Sequence, residues 1–290
     1  MLDAFLNIDK PAGMTSTDVV RRVRRLAGQK RVGHGGTLDP MATGVLPIAL
    51  GQATRLLEYF LQEEGKGYLA TVQLGSTTDT DDAEGVALAT QPVPSLDAAL
   101  LETTLAHFRG IISQIPPIYA AIRVDGRRLY EYARAGETVE IPSRTVTIER
   151  LDLLDWTSDT LQIEVACSKG TYIRSLARDI GAMLGCGAHL TALRRTRAGS
   201  FDLSTAIPLD ELLAQPERLA SAALPPIAAL ADWAHITVDA PTVADLRQGR
   251  RVRLECEAER AALLDAAGAL VAIAERVDDG WQPVKVFGNE

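Results

Sequence analysis

The sequence is poor in cysteine and contains no long apolar run. Its three cysteines, Cys167, Cys186 and Cys256, are odd in number and far apart, which fits neither a disulfide framework nor the spacing of zinc ligands. The best apolar candidate, residues 41–50, is short and contains a glycine and a proline, so no membrane-spanning helix is predicted. The N-terminus lacks the basic and apolar regions of an export signal. We therefore predict a cytoplasmic protein whose cysteines are reduced and structural.

The overall charge is acidic, but it is unevenly distributed along the chain. The 290 residues are 47% hydrophobic and 23% charged, as is typical of globular proteins, and the net charge is −8. Such a charge argues against a general polyanion binder unless basic residues are segregated. Residues 1–60 contain eight basic and five acidic residues, and residues 120–200 contain twelve and ten, whereas the other segments are acidic. Any nucleic-acid surface must therefore come from local basic stripes.

A glycine-rich loop, residues 33–47, holds a single carboxylate. A phosphate-binding loop would have a Lys-Ser/Thr pair after its glycines, and here Asp39 and a proline take that place. His34 and Asp39 have no second histidine or cysteine nearby at metal-ligand spacing. The acidic run 79–84 fails the calcium-loop template, so no metal site is predicted. From residue chemistry alone, Asp39 can be either a turn former or a catalyst.

One arginine is predicted at a helical position that favours an anionic partner. Alternation over residues 68–74 predicts a strand with Tyr68 on its apolar face, and residues 161–167 alternate in the same way. The second strand leads directly into a helix for which Thr171 is the predicted N-cap. Arg174 then lies in the first turn, where the helix dipole disfavours a cation. We expect an anion beside it, with solvent exposure as the alternative.

Residues 33–47 closely resemble the signature Gly-His-x-Gly-Thr-Leu-Asp-Pro-x-Ala-Thr-Gly-x-Leu-Pro of TruB-type pseudouridine synthases. Gly35 is one departure, at a position where threonine is frequent, and it leaves Asp39 in register with His34. Residues after about 235 resemble a PUA-type RNA-binding module more weakly. Further segments are similar to family motifs along most of the chain: 9–16, 66–68, 75–85, 114–119, 126–136, 168–174 and 193–196.

The resemblance implies an α/β (α+β) protein of two domains. Residues 1–234 are expected to form a catalytic domain around a mixed, largely antiparallel sheet. Residues 235–290 are expected to form a small, β-rich, PUA-like RNA-binding domain. The catalytic domain should carry a thumb-like segment of about residues 115–145, in which an Asp-Gly pair predicts a tight hairpin with Arg123 near its tip.

The resemblance also implies a reaction and three catalytic residues. The family isomerises uridine 55 in the T-arm loop of tRNA to pseudouridine after flipping the base into the active site. Asp39 is then the essential carboxylate, which promotes glycosidic cleavage either as a nucleophile at carbon 1′ or through proton transfer. Tyr68 is similar to the family tyrosine that stacks on the base and is a candidate for removing the proton from carbon 5. Arg174 is expected to pair with Asp39.

Five further residues are expected to bind the substrate. His34 is similar to the family histidine that fills the space left by flipped nucleotides, and Leu193 to the apolar residue beneath the flipped base. Lys10 and Tyr172 lie in matched motifs, and Arg123 lies in the thumb-like segment.

The expected partner is tRNA, bound through its T-arm stem-loop. Isomerisation conserves atoms and redox state, so no cofactor is expected. No membrane or protein partner is expected either, and the chain should act as a monomer. A tRNA-folding factor with little or no catalytic role would use the same arginine stripes, but Asp39, Tyr68 and Arg174 are all present. A guide-RNA-dependent synthase would share the active site and would also be expected to dock partner proteins.

Overall fold

The computed structural model describes residues 2–62, 65–120 and 122–288. Six residues lie outside the described ranges: residues 1, 63, 64 and 121 of the expected catalytic domain, of which 121 belongs to the thumb-like segment, and residues 289 and 290 of the expected C-terminal domain. The described strands are β1 (Ala4–Lys10), β2 (Val32–His34), β3 (Thr43–Leu50), β4 (Lys66–Leu74), β5 (Ser76–Thr78), β6 (Ala87–Thr90), β7 (Gly110–Gln114), β8 (Arg123–Val124), β9 (Arg127–Arg128), β10 (Arg144–Trp156), β11 (Thr160–Cys167), β12 (Ala188–Ala198), β13 (Phe201–Asp202), β14 (Ile207–Pro208), β15 (Ala223–Leu224), β16 (Ala234–Thr237), β17 (Arg260–Leu264), β18 (Leu270–Val277) and β19 (Gly280–Val286). The described α-helices are α1 (Ser16–Ala27), α2 (Leu57–Gln62), α3 (Ala98–Ala106), α4 (Leu129–Ala135), α5 (Ile173–Met183), α6 (Leu209–Ala214) and α7 (Ala240–Arg247). None of these helices has the length and apolar character needed to cross a membrane.

Most strands join one large mixed sheet, which confirms the expected fold class. The strand order is β14-β1-β3-β12-β4-β11-β10-β7, with β2 beside β3, β13 beside β12 and β15 beside β1. The pairs β1–β14 and β3–β12 are parallel, and the other pairs of this sheet are antiparallel. The thumb-like excursion leaves the sheet after β7 and returns at β10, and these two strands pair antiparallel at its base.

Local sequence signals fix helix α1, which supports the glycine-rich loop. Thr15 and Asp18 form a capping box, because the side chain of each accepts a hydrogen bond from the backbone N–H of the other. Gly28 ends the helix with φ of 60°. Val19 and Val23 bury the apolar face of the helix against the sheet. The first turn of α1 is therefore held firmly beside the loop.

Helix α5 begins one residue later than predicted. Its N-cap is Tyr172 rather than Thr171. The hydroxyl of Thr171 donates to the carbonyl of Ser168 at 2.9 Å and is therefore turned away from the helix. The Tyr172 N–H donates instead to Gln114 Oε1 at 2.8 Å, so a neighbouring strand satisfies this end of the helix. Arg174 remains in the first turn, as predicted.

The C-terminal strands form a second sheet, with the order β16-β17-β18-β19. This sheet has an apolar cluster of its own that includes Trp281. A second cluster joins it to the part of the chain that carries the large sheet, because Ile273 and Phe287 pack with Phe5 and Phe60. The C-terminal region therefore forms a separate sheet, and it packs through apolar side chains against the part of the chain that carries the large sheet.

Candidate active site

A cleft with a cavity volume of about 350 Å³ lies where five segments of the chain converge, one of which is Tyr119 and Ala120 after β7. Its lining includes five of the eight expected site residues: Asp39 from the loop before β3, Tyr68 from β4, Tyr172 and Arg174 from the start of α5, and Leu193 from β12. Strand β12 pairs with both β3 and β4, so these segments meet although they are far apart in the sequence. The sheet register thus assembles the predicted residues around one cavity.

The backbone on both sides of Asp39 is held by buried polar side chains. Ser16 Oγ accepts a hydrogen bond from the Leu38 N–H at 2.8 Å and donates to the Leu38 carbonyl at 3.2 Å. Lys10 Nζ donates to the carbonyl of Pro40 at 3.1 Å. The residues immediately before and after the carboxylate are therefore fixed, which restricts the directions in which its side chain can point.

Lys10 supports this loop from beneath and does not line the cleft. Its side chain is fully buried, and its ammonium also donates to the Pro11 carbonyl at 2.9 Å. Burial lowers the pKa of Lys10 to about 8, and the charge of Asp39 opposes that shift. A buried ammonium used by backbone carbonyls is not placed to contact RNA, so the structure favours a structural role over the expected substrate contact.

Arg195 ties the glycine-rich loop to the sheet. It is fully buried, and its guanidinium donates to the carbonyls of Val45 at 2.7 Å, Gly36 at 3.1 Å and Thr37 at 3.3 Å. Gly44 allows the close approach of β12 that this requires, because a Cβ there would lie 2.2 Å from the Arg195 carbonyl oxygen and its φ is 99°. From the sequence, Arg195 was noted only as part of a segment similar to a family motif. Its bonds to the loop carbonyls depend on the pairing of β12 with β3, which the sequence does not reveal.

Arg174 has the anionic partner that its helical position favours. Its Nε lies 3.0 Å from Asp39 Oδ2, and its Nη2 donates to Asp39 Oδ1 at 3.2 Å. The remaining donors of the guanidinium are directed to the carbonyls of Thr80 at 2.9 Å and Tyr119 at 3.1 Å. Nε is close to Oδ2 without donating a hydrogen bond to it, so one hydrogen bond and one close ionic contact together orient the carboxylate next to the cation.

The acidic run 79–84 provides carboxylates for arginines. Asp82 Oδ2 lies 3.5 Å from Arg174 Nη1, and both side chains are buried. Asp81 pairs with Arg178 at 2.9 Å. Among the described residues, no group of three His, Cys, Asp or Glu side chains is arranged to hold a metal. The proximity of Asp82 to the cleft was missed from the sequence, because the run was tested as a metal-binding loop and matched to a family motif without a role for any one of its carboxylates.

The environment of Asp39 disfavours its charged form. Burial raises the pKa of the Asp39 carboxyl above its ordinary range, and the nearby charge of Asp82 raises it further. Arg174 opposes both effects. Asp39 is therefore a carboxylate that is costly to ionise but held in one orientation by a cation, which suits a group that reacts at a sugar carbon or transfers a proton.

Tyr68 is held on β4 in a protonated state. Burial raises the pKa of Tyr68 to about 12, although the Arg195 guanidinium opposes the shift. A phenol with this pKa is protonated at neutral pH, and its oxygen accepts a hydrogen bond from the Arg195 guanidinium. If Tyr68 removes a proton from the base, the hydroxyl must first lose its own proton.

His34 and Arg123 lie outside the residues that line the cleft. His34 is half-buried at the end of β2, and burial and the charge of Arg195 lower its pKa, so the imidazole is neutral at neutral pH. Arg123 is exposed on β8, in the predicted hairpin, whose turn residues Asp125 and Gly126 have φ of 50° and 83°. Any contact of these two side chains with RNA must therefore be made outside the cavity.

Family models cover most of the chain that carries this cleft. Residues 24–173 match the model described as TruB family pseudouridylate synthase (N terminal domain). The chain belongs to the TruB family. Residues 174–228 match the model described as tRNA pseudouridylate synthase B C-terminal domain, and that range lies within the expected catalytic domain. The cleft residues of this TruB-family chain thus fall within the two matched ranges.

Curated relatives agree with the family models. This TruB-family chain is 48% identical to tRNA pseudouridine synthase B of Synechococcus sp. (strain WH7803), over 98% of this chain and 97% of the relative. It is 46% identical to the protein of the same name from Thermobifida fusca (strain YX), over 100% of both chains. It is also 50% identical to that of Gloeobacter violaceus, over 88% of both.

Solved structures give the same fold. A chain from the structure of an H/ACA RNP bound to a substrate RNA containing 2′-deoxyuridine matches with a TM-score of 0.76 at 25% identity, over 99% of this chain and 85% of that one. A chain from a Cbf5-Nop10-Gar1 complex matches with a TM-score of 0.75 at 26% identity, over 98% and 84%. Both matches extend over the large sheet and the C-terminal sheet of this TruB-family chain.

Proposed function

We propose that this protein isomerises uridine 55 in the T-arm loop of tRNA to pseudouridine. The observation that carries the proposal is the carboxylate of Asp39, which an ion pair and a hydrogen bond with Arg174 hold at a cleft large enough for a base. The curated relatives named tRNA pseudouridine synthase B support tRNA as the substrate. The reaction conserves atoms and redox state, so it needs no cofactor. We place the protein in the cytoplasm, where it would meet tRNA.

The target base must leave its stack in the loop before the carboxylate can reach its sugar. Enzymes that act on a stacked base extrude it into a pocket, at a cost of a few kcal/mol that contacts in the pocket offset. Here Tyr68 and Tyr172 provide aromatic surface, and Leu193 provides an apolar one, in the lining of the cleft. We propose that these side chains receive the flipped uracil.

Asp39 then promotes rupture of the bond between nitrogen 1 of the base and carbon 1′ of the sugar. Two routes fit its position, namely attack on carbon 1′ and proton transfer that leads to cleavage. In both routes the base rotates, carbon 5 bonds to carbon 1′, carbon 5 loses its proton and nitrogen 1 gains one. Arg174 stabilises and orients the carboxylate, and Tyr68 is the candidate group for the proton on carbon 5.

The remaining expected residues act outside the chemical step in this proposal. We assign Lys10 to support of the loop, His34 to stacking with displaced bases, and Arg123 to contact with the RNA from the thumb-like segment. The neighbouring solved structures include a protein in complex with Nop10 and Gar1. We propose that this chain requires no protein partner and acts as a monomer.

The test follows tritium release from unmodified tRNA labelled at carbon 5 of uracil, with the purified chain alone. Asp39→Asn keeps the shape of the side chain but removes its charge, so we expect turnover to fall by at least about a thousandfold, or about 4 kcal/mol in barrier. Binding of tRNA should remain. Release from tRNA in which the target uridine is replaced would contradict the assigned position.

The alternative function is a tRNA-folding factor with little or no catalytic role. It predicts that the wild-type protein binds tRNA and releases no tritium. An ion pair between a buried arginine and a carboxylate at a base-sized cleft favours catalysis, because a folding factor has no need to orient a carboxylate there.

A further inference from the structure

Arg144 is a cation at the rim of the cleft with no acidic partner among the described residues. It begins β10 and is half-buried. Its Nε is buried and has no hydrogen-bond partner in the part of the chain that the structure describes. Partially buried guanidinium groups usually find an acceptor, because an unsatisfied donor costs free energy. The buried Nε is out of reach of a ligand, but no hydrogen bond or ion pair of the two Nη groups is found among the described residues either, so these are the donors that a ligand can contact.

Arg144 touches the same elements that line the cleft. Its guanidinium carbon lies 5.9 Å from the centroid of the Tyr172 ring. Its Nη1 lies 3.5 Å from the position that a Cβ on Gly170 would occupy, an ordinary contact distance, so the guanidinium is next to the backbone of Gly170. Both Tyr172 and Gly170 line the cavity. A group bound by Arg144 would therefore lie next to whatever enters the cleft.

The scaffold beneath Arg144 is rigid. Arg144 pairs in the β7–β10 ladder with Gln114. The Gln114 side chain in turn accepts from the Tyr172 N–H at 2.8 Å and donates to the Tyr172 carbonyl at 3.1 Å. The guanidinium and the aromatic ring are thus carried by one hydrogen-bonded unit, which fixes the direction in which the cation approaches the cleft.

Another arginine on the same strand, Arg150, differs from Arg144 in that carboxylates pair with its guanidinium. Arg150 lies on β10 and pairs with Asp152 at 3.3 Å and with Glu164 at 2.6 Å. It does not line the cleft. The two arginines differ in partners and in place, and the unpaired one is beside the cavity.

We propose that Arg144 binds a backbone phosphate of the RNA next to the nucleotide that occupies the cleft. The inference rests on the proposed function and adds a residue to its binding site. Arginine presents two parallel N–H donors that match a phosphate, and RNA supplies such a phosphate on either side of a flipped nucleotide. Contacts of this kind position the substrate and carry no sequence information.

Arg144→Met tests the proposal, since methionine keeps an apolar stem against Tyr172 and removes every charge-assisted donor. We expect the KM for tRNA to rise by about tenfold, the value for one charged hydrogen bond. The kcat should stay within about twofold, because the phosphate is bound equally before and during the reaction. The slope of log KM against log salt should fall by about one. Arg144→Lys should keep the slope and lose part of the affinity.

Matched controls separate this result from structural damage. Arg150→Met removes a paired guanidinium from the same strand and should leave KM and its salt slope unchanged. An isolated T-arm hairpin contains the target nucleotide and its phosphates, so it should show the same loss as whole tRNA. A fall in kcat with an unchanged salt slope would overturn the proposal, because it would mean that Arg144 only supports the Tyr172 ring.

Failure of this inference and failure of the proposed function give different results. If the wild-type protein releases no tritium, the proposed function is wrong. If the wild type is active and Arg144→Met has the same KM and salt slope, the function stands and the phosphate contact is wrong.

Discussion

The cleft and the C-terminal region both pair arginine with aspartate, but in opposite surroundings. In the cleft, the side chains of Arg174 and Asp39 are 5% and 33% exposed. In the loops next to the C-terminal sheet, those of Arg253 and Asp279 are 83% and 72% exposed. Breaking a buried pair leaves an uncompensated charge in a poorly solvated place, whereas water and salt screen an exposed pair. Burial, more than the presence of the pair, therefore decides where a charge change matters.

The two regions also differ in what holds them in place. Arg195 and Lys10 hold the backbone of the active-site loop through hydrogen bonds to buried carbonyls. The C-terminal sheet is joined to the rest by apolar packing, in which Phe287 contacts the cluster of Phe5 and Phe60. We therefore expect the activity of the cleft to depend on the geometry of its polar groups. We expect the attachment of the C-terminal sheet to depend on the size of the apolar side chains in the shared cluster.

After loss of the Asp39 carboxylate itself, the largest effect on activity is expected from Arg174→Lys, which keeps the charge of the cleft pair and removes its geometry. A lysine ammonium cannot reproduce the contact of Nε and Nη2 with the two oxygens of Asp39. We expect kcat to fall by about a hundredfold, or about 2.7 kcal/mol. Single-turnover tritium release measures it.

Arg178→Lys is the matched control for that prediction, since Arg178 lies one turn further along α5 and pairs with Asp81 outside the cleft. It should retain most of the activity. Equal losses in the two variants would show that arginines of α5 matter for folding in general and would remove the special role of the cleft pair.

Sequence reasoning reached the cleft where local rules or a specific motif applied. The first-turn position of Arg174 predicted an anion, and the matched loop identified Asp39 as that anion. Strand alternation placed Tyr68 on the apolar face, and it is buried. Sheet order and the two-domain expectation came from the resemblance, since periodicity alone gives no strand order.

Contacts that depend on strand register could not be predicted from the sequence. Asp82 and Arg195 reach the site through segments distant in the chain, and no local pattern connects them with Asp39. Motif matching also cannot tell a buried residue from an exposed one, so Lys10 was expected to bind substrate and is instead beneath the loop. Thr171 was predicted as a cap because hydroxyls favour that position, but its hydroxyl bonds to Ser168.

The apolar attachment of the C-terminal sheet is tested by Phe287→Ala. Phe287 is buried, and the Arg55 guanidinium lies 5.0 Å from its ring centroid. Loss of a buried phenyl ring should lower the free energy of unfolding by about 3 kcal/mol. Val284→Ala, three residues earlier on β19 and exposed, should change it little. Two separate unfolding transitions in the wild type would show that the shared cluster does not couple the two sheets.

A smaller effect is expected from Asp82→Asn, measured in the pH dependence of kcat. Burial and then the charge of Asp82 raise the pKa of Asp39, so the acidic limb of the profile should lie above the ordinary carboxyl range of about 4. A raised pKa means that activity requiring the carboxylate is lost as the pH falls through this higher value. Removing the Asp82 charge should move the limb to lower pH. A limb that stays in place would mean that Asp39 does not sense Asp82.

The smallest effect is expected from Arg253→Ala, in the loop between α7 and β17. Of the four arginines at the end of α7 and in this loop, residues 247–253, three are next to aspartates: Arg250 with Asp245, Arg251 with Asp278 and Arg253 with Asp279. An RNA phosphate must compete with a carboxylate for each of these three guanidinium groups, so the net gain from contact is small. We expect KM for tRNA to change by no more than about twofold.

Asp279→Asn sharpens that last prediction, because it frees Arg253 from its carboxylate without removing the guanidinium. If the carboxylate is what limits the contact, this variant should bind whole tRNA more tightly at low salt, and the gain should disappear at high salt. An isolated T-arm hairpin should show no gain, because it lacks the RNA that would reach the C-terminal sheet. A large rise in KM for tRNA on Arg253→Ala alone would mean that the exposed ion pairs of this region open readily to bind RNA. Exposed and buried pairs would then differ in their effect on the chemical step and would not differ in their effect on RNA binding.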